Sequence, residues 1–260
     1  MEATTWLQLP EPDRSTLSAA PLELVVLQVK FERKADMSPQ VALALKAELG
    51  DDVYPHLEQA VSSEVIFQMS PSGAATTENR AEGWRFMSQD RKWVVSVFPD
   101  WASVECTGYT DWDDFRERSN VLLRTIASLL SPQLVHRVGL RYIDRIILRD
   151  TAKPADWGGL IVDEVLGFAA SQELGPHVTA VKTEQLVSMG EVTGVVRTSC
   201  GPDNQGPTRH SMVIDTDCFE QSAFGYNLAA LALKIEKLHD RALQLFQLVT
   251  STQLRNRLNS

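Results

Sequence analysis

The chain is short of cysteine, of long apolar runs and of positive charge, and each shortage removes a class of protein. Cys106, Cys200 and Cys218 are odd in number and widely spaced. They suit neither a disulfide framework nor a zinc site. No apolar stretch approaches the ~20 residues needed to span a bilayer. Met1–Pro12 is acidic and lacks the apolar core of a secretory signal. The expectation is a cytoplasmic protein without membrane contact. Lys and Arg number 25 against 34 Asp and Glu, a formal net charge of −9. That balance disfavours nucleic-acid binding, because polyanions are gripped mainly by surplus cations.

Catalytic signatures are also missing. There is no G-x-S-x-G, no phosphate loop and no G-x-G-x-x-G after a strand. His56, His136, His177, His210 and His239 make no zinc-ligand pair. No catalytic residue, metal or cofactor is therefore assigned, and the chain leans away from an enzyme.

What is present centres on Val135–Ile147, V-H-R-V-G-L-R-Y-I-D-R-I-I, which reads as a long β-strand. Alternation puts His136, Val138, Leu140, Tyr142, Asp144 and Ile146 on one face. The other face carries Arg137, Gly139, Arg141, Ile143, Arg145 and Ile147. Two readings of Arg137, Arg141 and Arg145 stand. They form a groove that grips carboxylate or phosphate, or, more ordinarily, they pair with carboxylates on neighbouring strands. Asp215 and Asp217, two apart in M-V-I-D-T-D, are the candidate partner carboxylates. They are alternatively a site for acid–base work or a hard cation.

Around that strand the chain divides into an N-terminal arm (1–20), a first unit (21–132) and a second unit (133–260). Leu22–Glu32 is a strand with two apolar faces. Ser38-Pro39 caps a helix that ends at Gly50. Strands follow at Glu64–Met69, Gly83–Ser88, Lys92–Phe98 and Ala102–Thr107, with turns at Gln89–Arg91 and Pro99-Asp100 and a loop at Ser70–Asn79. Asp111 caps a helix that Pro132 stops. In the second unit, Pro154–Phe168 is a weak helix disturbed by Gly158-Gly159. Val178–Met189, Glu191–Cys200 and Arg209–Asp217 are strands, Gly201–Thr208 is a loop, and one helix runs from about Ser222 to about Leu258. The order predicts an α+β fold in which an antiparallel sheet has helices packed on one face. It also suggests one β-α-β(3-4)-α unit used twice, in one continuous domain or in two.

The last helix carries a seam, Leu228, Leu231, Ile235, Leu238, Ala242, Leu245 and Val249, at spacings of three and four. It is a candidate interaction helix for self-association, or a stripe facing the protein's own sheet, the second being favoured because Leu243 and Phe246 widen it. Trp84, Trp93, Trp101 and Trp112 read mainly as core of the first unit.

Several stretches resemble a sporadically distributed, functionally uncharacterised bacterial family, a domain of unknown function. They are P-L-E-L-V-V-L-Q-V-K-F (Pro21–Phe31), W-R-F-M-S-Q-D with W-V-V-S-V (within Trp84–Val97), Y-T-D-W-D-D-F (Tyr109–Phe115) and R-V-G-L-R-Y-I-D-R-I (Arg137–Ile146). L-H-D at Leu238–Asp240, with Phe246 and Thr250, also matches. The R-x-G-L-R-Y-x-x-R core is the most specific piece. The resemblance implies a full-length protein without a fused catalytic domain and brings no activity, cofactor or catalytic residue. The expected function is binding or interaction, through self-association or a larger, defence-related assembly with a protein partner. Alternatives are capture or processing of an anionic small molecule, such as a nucleotide or phosphate ester, by the arginine face and, more weakly, a nucleic-acid groove.

Overall fold

The structure is a computed structural model that describes residues 9–15, 17, 20–34, 37–70, 73–203 and 206–259. Two strands form its spine: β1 (Leu22–Phe31) and β6 (Leu134–Ile146), paired antiparallel with Val26 opposite Arg141 and Gln28 opposite Gly139. On the β1 side follow β5 (Trp101–Cys106), β4 (Trp93–Val97), β3 (Gly73–Met87) and β2 (His56–Ser70). On the β6 side follow β9 (Gly206–Glu220), β8 (Val192–Asp203) and β7 (Val181–Met189), while the short β10 (Phe224–Gly225) also pairs β6. All pairings are antiparallel, and both halves share one hydrogen-bonded sheet. Outward from the spine, each half begins with its last long strand and ends with its first. The suggestion of a duplicated unit rests on that order alone.

Alternation splits the sheet into a covered and an open face. Val25, Leu27, Val29 and Phe31 of β1 are buried, as are Val138, Leu140 and Ile146 of β6. Helices α1 (Pro39–Leu49), α2 (Trp112–Leu129) and α4 (Leu228–Val249) supply the facing layer: α4 lies on β6, β9 and β8, and α2 touches β5, α1 and α4. The intervening positions Leu24, Val26, Gln28 and Lys30 of β1 are only half-buried, on a face that carries no helix layer. This is the expected α+β arrangement with helices on one side.

The helix starts lie where the caps were read. Ser38 Oγ accepts from Val41 N–H with Pro39 in the first turn, and Asp111 accepts from Asp114 N–H. Gly50, at φ 97°, ends α1 in a conformation that suits glycine.

Four expectations need correction. The loop expected at Ser70–Asn79 is largely strand: β2 and β3 pair without a break from His56↔Met87 to Ser70↔Gly73, so only 71–72, outside the described residues, join them. The Gly/Pro loop at Gly201–Thr208 shrinks likewise, since Gly201–Asp203 extends β8 and Gly206–Thr208 extends β9. Backbone pairing decides both. The weak helix at Pro154–Phe168 breaks at Gly159 (φ 74°) and Gly167 (φ 53°) into a 3-10 turn at Pro154–Trp157 and the short α3 (Asp163–Leu166). The terminal helix is two. Asn227 caps α4, and Thr250 turns extended to bridge Ile161. Ser251 then caps α5 (Thr252–Arg257). The β-branched Val249-Thr250 pair and the second cap give the physical reason.

The arm, where described, lies along α4. Gln244 Nε2–H donates to the Pro10 carbonyl, Gln247 brackets Asp13 through both its backbone groups, and Arg14 reaches Asp240 at 2.6 Å.

Candidate ligand-binding site

All three arginines of β6 project on the open face, and each meets an acidic group. Arg141 forms a two-pronged pair with Asp215, Nε–Oδ1 2.7 Å and Nη2–Oδ2 2.6 Å. Arg137 reaches Asp217 at 3.2 Å, and Arg145 reaches Glu23 at 2.6 Å and Ser211 Oγ at 3.1 Å. Arg197 of β8 adds a contact to Asp215 at 3.7 Å and pairs with Glu184. Asp215 and Asp217 thus stand beside arginines, as the ordinary reading of the row supposes, and not beside one another as a free carboxylate pair. Their partners lie on a diagonal: the residue opposite Arg141 is Asp217, and the residue opposite Asp215 is Ile143. Long side chains can span that offset across a strand pair.

The glycine of R-x-G-L-R makes the diagonal workable. Arg137 lies over Gly139, where an added Cβ would sit 2.6 Å from its Nη1. Across that gap the guanidinium donates to Gln28 Oε1 at 3.2 Å on one side. On the other it meets Asp217 and stacks over the Phe219 ring at 4.5 Å. Burial pushes the Asp217 carboxyl up while Arg137, Arg141 and Arg197 pull it down. Asp215 draws the Arg141 guanidinium higher still. Chemically this is a closed charge network, and an anion entering it would have to displace a carboxylate.

The seam of α4 is spent inside the chain. Leu231, Ile235, Leu238 and Leu245 are all buried against the sheet, and Leu228 at the helix start stays 40% exposed. The interaction-helix expectation is corrected accordingly: a helix layered on a sheet buries the stripe that a coiled coil would share. Of the tryptophans, Trp93 is core, Trp101 stacks on Phe98, and Trp112 belongs to the site below.

A second constellation sits on the covered face, and the sequence reading did not single it out. Between α4, the start of α2, β6, β9 and the arm lies a cavity of about 150 Å³. Tyr142 and Asp144 of β6 point into it, with Thr216 of β9, His239 of α4, Tyr109, Trp112 and, from the arm side, Arg14, Leu17 and Leu22. Tyr142 Oη and His239 Nδ1 share a hydrogen bond of 2.7 Å. The His239 ring lies flat on Trp112, centroids 3.9 Å apart at 3°. Trp112 Nε1–H donates to Glu236, which Arg116 also holds. Burial depresses His239 to about 4 and pushes the Tyr142 and Tyr109 hydroxyls up, so all three are neutral near pH 7.

Asp144 is different. It is 7% exposed, and among the described residues no hydrogen-bond donor or cation reaches its carboxyl. Desolvation alone pushes it up to about 7. Thr216 Oγ1, in a residue 1% exposed, is likewise without a partner. Glu220, buried farther along the same face, shows the usual remedy, because Lys234 and Lys237 of α4 both pair with it. In the sequence, Asp144 on the apolar side of an alternating strand was the available signal; its isolation was not.

No family model matches the chain, and no curated protein matches it. Among solved structures, the structure of S. pombe Pct1 RNA triphosphatase aligns over 92% of this chain and 81% of that one, at 10% identity and a TM-score of 0.12. At that score the alignment carries no inference about fold or function.

Proposed function

We propose that the protein is a small-molecule binding protein whose site is the cavity beneath the N-terminal arm. One observation carries this reading: the buried Thr216 hydroxyl and the Asp144 carboxyl, which keeps only 7% exposure, line the same cavity, and neither has a partner among the described residues. Leaving a buried polar group unsatisfied costs about 1–3 kcal/mol, and a ligand that bonds to both would recover that cost. Apolar walls with a few converging polar groups and a displaced carboxyl are the usual signature of a ligand pocket. The alternative readings have less behind them, since the seam meant for a partner is buried and the arginines meant for an anion already hold carboxylates.

Binding is favoured over catalysis because burial keeps Tyr142 and His239, which hydrogen-bond to each other, in neutral forms. A carboxyl held near neutrality can nevertheless move a proton, and turnover would appear as a mass change in the test that follows. Native mass spectrometry on gently purified protein, with a thermal-shift screen of metabolites, should show a bound small molecule or a stabilising compound. Thr216→Val, which keeps the shape and removes the hydroxyl, should weaken that compound's effect. Only the bare chain mass together with a flat screen refutes the reading.

A further inference from the structure

Resting on that reading, we infer that the ligand is a small organic cation, an ammonium or guanidinium on a compact apolar or aromatic body, with Asp144 as its counter-ion. The cavity's charge balance points this way. Asp111 is committed to capping α2, where it accepts from Asp114 N–H. Asp240 is paired with Arg14 at 2.6 Å, and Glu236 with Arg116 at 3.2 Å. His239 is neutral. Among the described residues Asp144 is therefore the one carboxyl lining the cavity that neither an arginine nor a helix N-terminus holds, and its ionised form is negative.

Hydrogen-bond capacity agrees. An ionised carboxylate only accepts, and a threonine hydroxyl can accept as well as donate. A partner that satisfies both must bring N–H or O–H donors, and a cation brings the most. The walls set the rest of the molecule. Leu22, Leu243 and Phe246 are apolar, while Tyr109, Trp112 and Tyr142 offer ring surface that attracts a cation when water is excluded. The cavity's inner space of about 150 Å³ matches one known to hold benzene, so a body of about that size fits inside it. An anion is disfavoured wherever Asp144 is ionised, and Arg14 on the cavity wall is already paired with Asp240.

Proton release should accompany binding. In the empty cavity the carboxyl, displaced upward by burial, is partly protonated at neutral pH; an ammonium favours the ionised form and expels that proton. The groups facing Asp144 do not obscure this. Thr216 does not titrate, and Tyr142, Tyr109 and His239 stay neutral from about pH 6 to 8. Arg14, the cation on the cavity wall, is paired with Asp240 at 2.6 Å.

Three probes of one shape test the inference on the full chain: benzylamine, benzyl alcohol and benzoate, by calorimetry at pH 6 and pH 8. Benzylamine should bind at least tenfold tighter than the alcohol and tighter at pH 8 than at pH 6, and benzoate should give no signal. Asp144→Asn should lose at least tenfold for benzylamine while leaving the alcohol unchanged, and its intact unfolding transition would exclude misfolding. Benzyl alcohol or benzoate matching benzylamine, or Asp144→Asn binding benzylamine as well as wild type, would overturn the cation assignment and leave the cavity a ligand site. Silence from all three probes together with a flat metabolite screen would overturn the site itself. An amine recovered by that screen and lost in Asp144→Asn would uphold the inference even if benzylamine proved the wrong body.

Discussion

The two faces of one sheet treat charge in opposite ways. On the open face Arg137, Arg141, Arg145 and Arg197 are met by Asp217, Asp215, Glu23 and Glu184, and most of these side chains keep some water. On the covered face acidic groups are few and water is largely excluded; Glu220 has two lysines and Asp144 has none. A dense charged row is thus a poor guide to function, because each charge is accounted for by its neighbours. A single uncompensated charge in a dry place is the better guide, since the fold gains nothing from keeping it there.

Four measurements would break or sharpen that contrast. The largest effect belongs to the covered face: Leu238→Ala, fully buried on the sheet-facing side of α4, should cost about 2–5 kcal/mol in chemical denaturation. An unchanged midpoint with an altered oligomeric state would return the seam to the role of a partner helix.

Next comes Asp144→Asn, which should stabilise the protein at alkaline pH. The folded state holds the Asp144 proton up to about 7 and the unfolded state releases it near 3.8, so stability falls as pH rises between those values. By the free energy per pKa unit, the penalty above pH 7 is at most about 4 kcal/mol. The asparagine variant should therefore match wild type near pH 4, pull ahead through pH 7 and keep a constant lead above it. His239 works in the opposite sense. Its folded pKa is lowered from 6.5 to about 4, so its contribution is complete above 6.5 and is lost as pH falls toward 4. Thermal melts of both proteins from pH 4 to 9 would separate the two, and a lead independent of pH would mean that Asp144 is not the isolated group described.

The open face should respond less. Arg141→Ala removes a half-exposed guanidinium but leaves the well-buried Asp215 with only Arg197 at 3.7 Å. A loss of about 1–3 kcal/mol is expected after allowing for the exposed side of the pair, and a neutral result would reduce the network to surface decoration. The smallest effect is Gly139→Ala. Its Cβ would push Arg137 away from Gln28 and Asp217, costing about 1 kcal/mol. That cost should vanish in an Arg137→Ala background. Equal losses in both backgrounds would place the cost in the strand and not in the arginine lying over it.

Much of the fold was legible because it follows from local chemistry. Alternation along Leu22–Phe31 and Leu134–Ile146 marks strands, and Ser38-Pro39 and Asp111 mark helix starts. Where the reading slipped, at Gly73–Asn79 and Gly201–Asp203, composition was taken for a loop while pairing with β2 and β9 extended the ladder. At the site, the arginines and their partner aspartates were readable because same-face spacing survives in the sequence. Asp144 was visible as a residue but silent as a site. Its meaning depends on Thr216, 72 residues on in the chain, on His239, on the lie of the arm and on Asp144 having no ion pair among the described residues.

By itself, then, the sequence determined the strands and helices, the arginine face and the carboxylates able to meet it, because periodicity and capping act over a few residues. Only the tertiary structure decided that α4's seam packs inward, that Arg137 crosses Gly139 to reach β9, and that a carboxyl and a hydroxyl from neighbouring strands share one cavity without partners among the described residues. Burial and compensation depend on what the rest of the chain places around a group, and neighbours distant in sequence supply them.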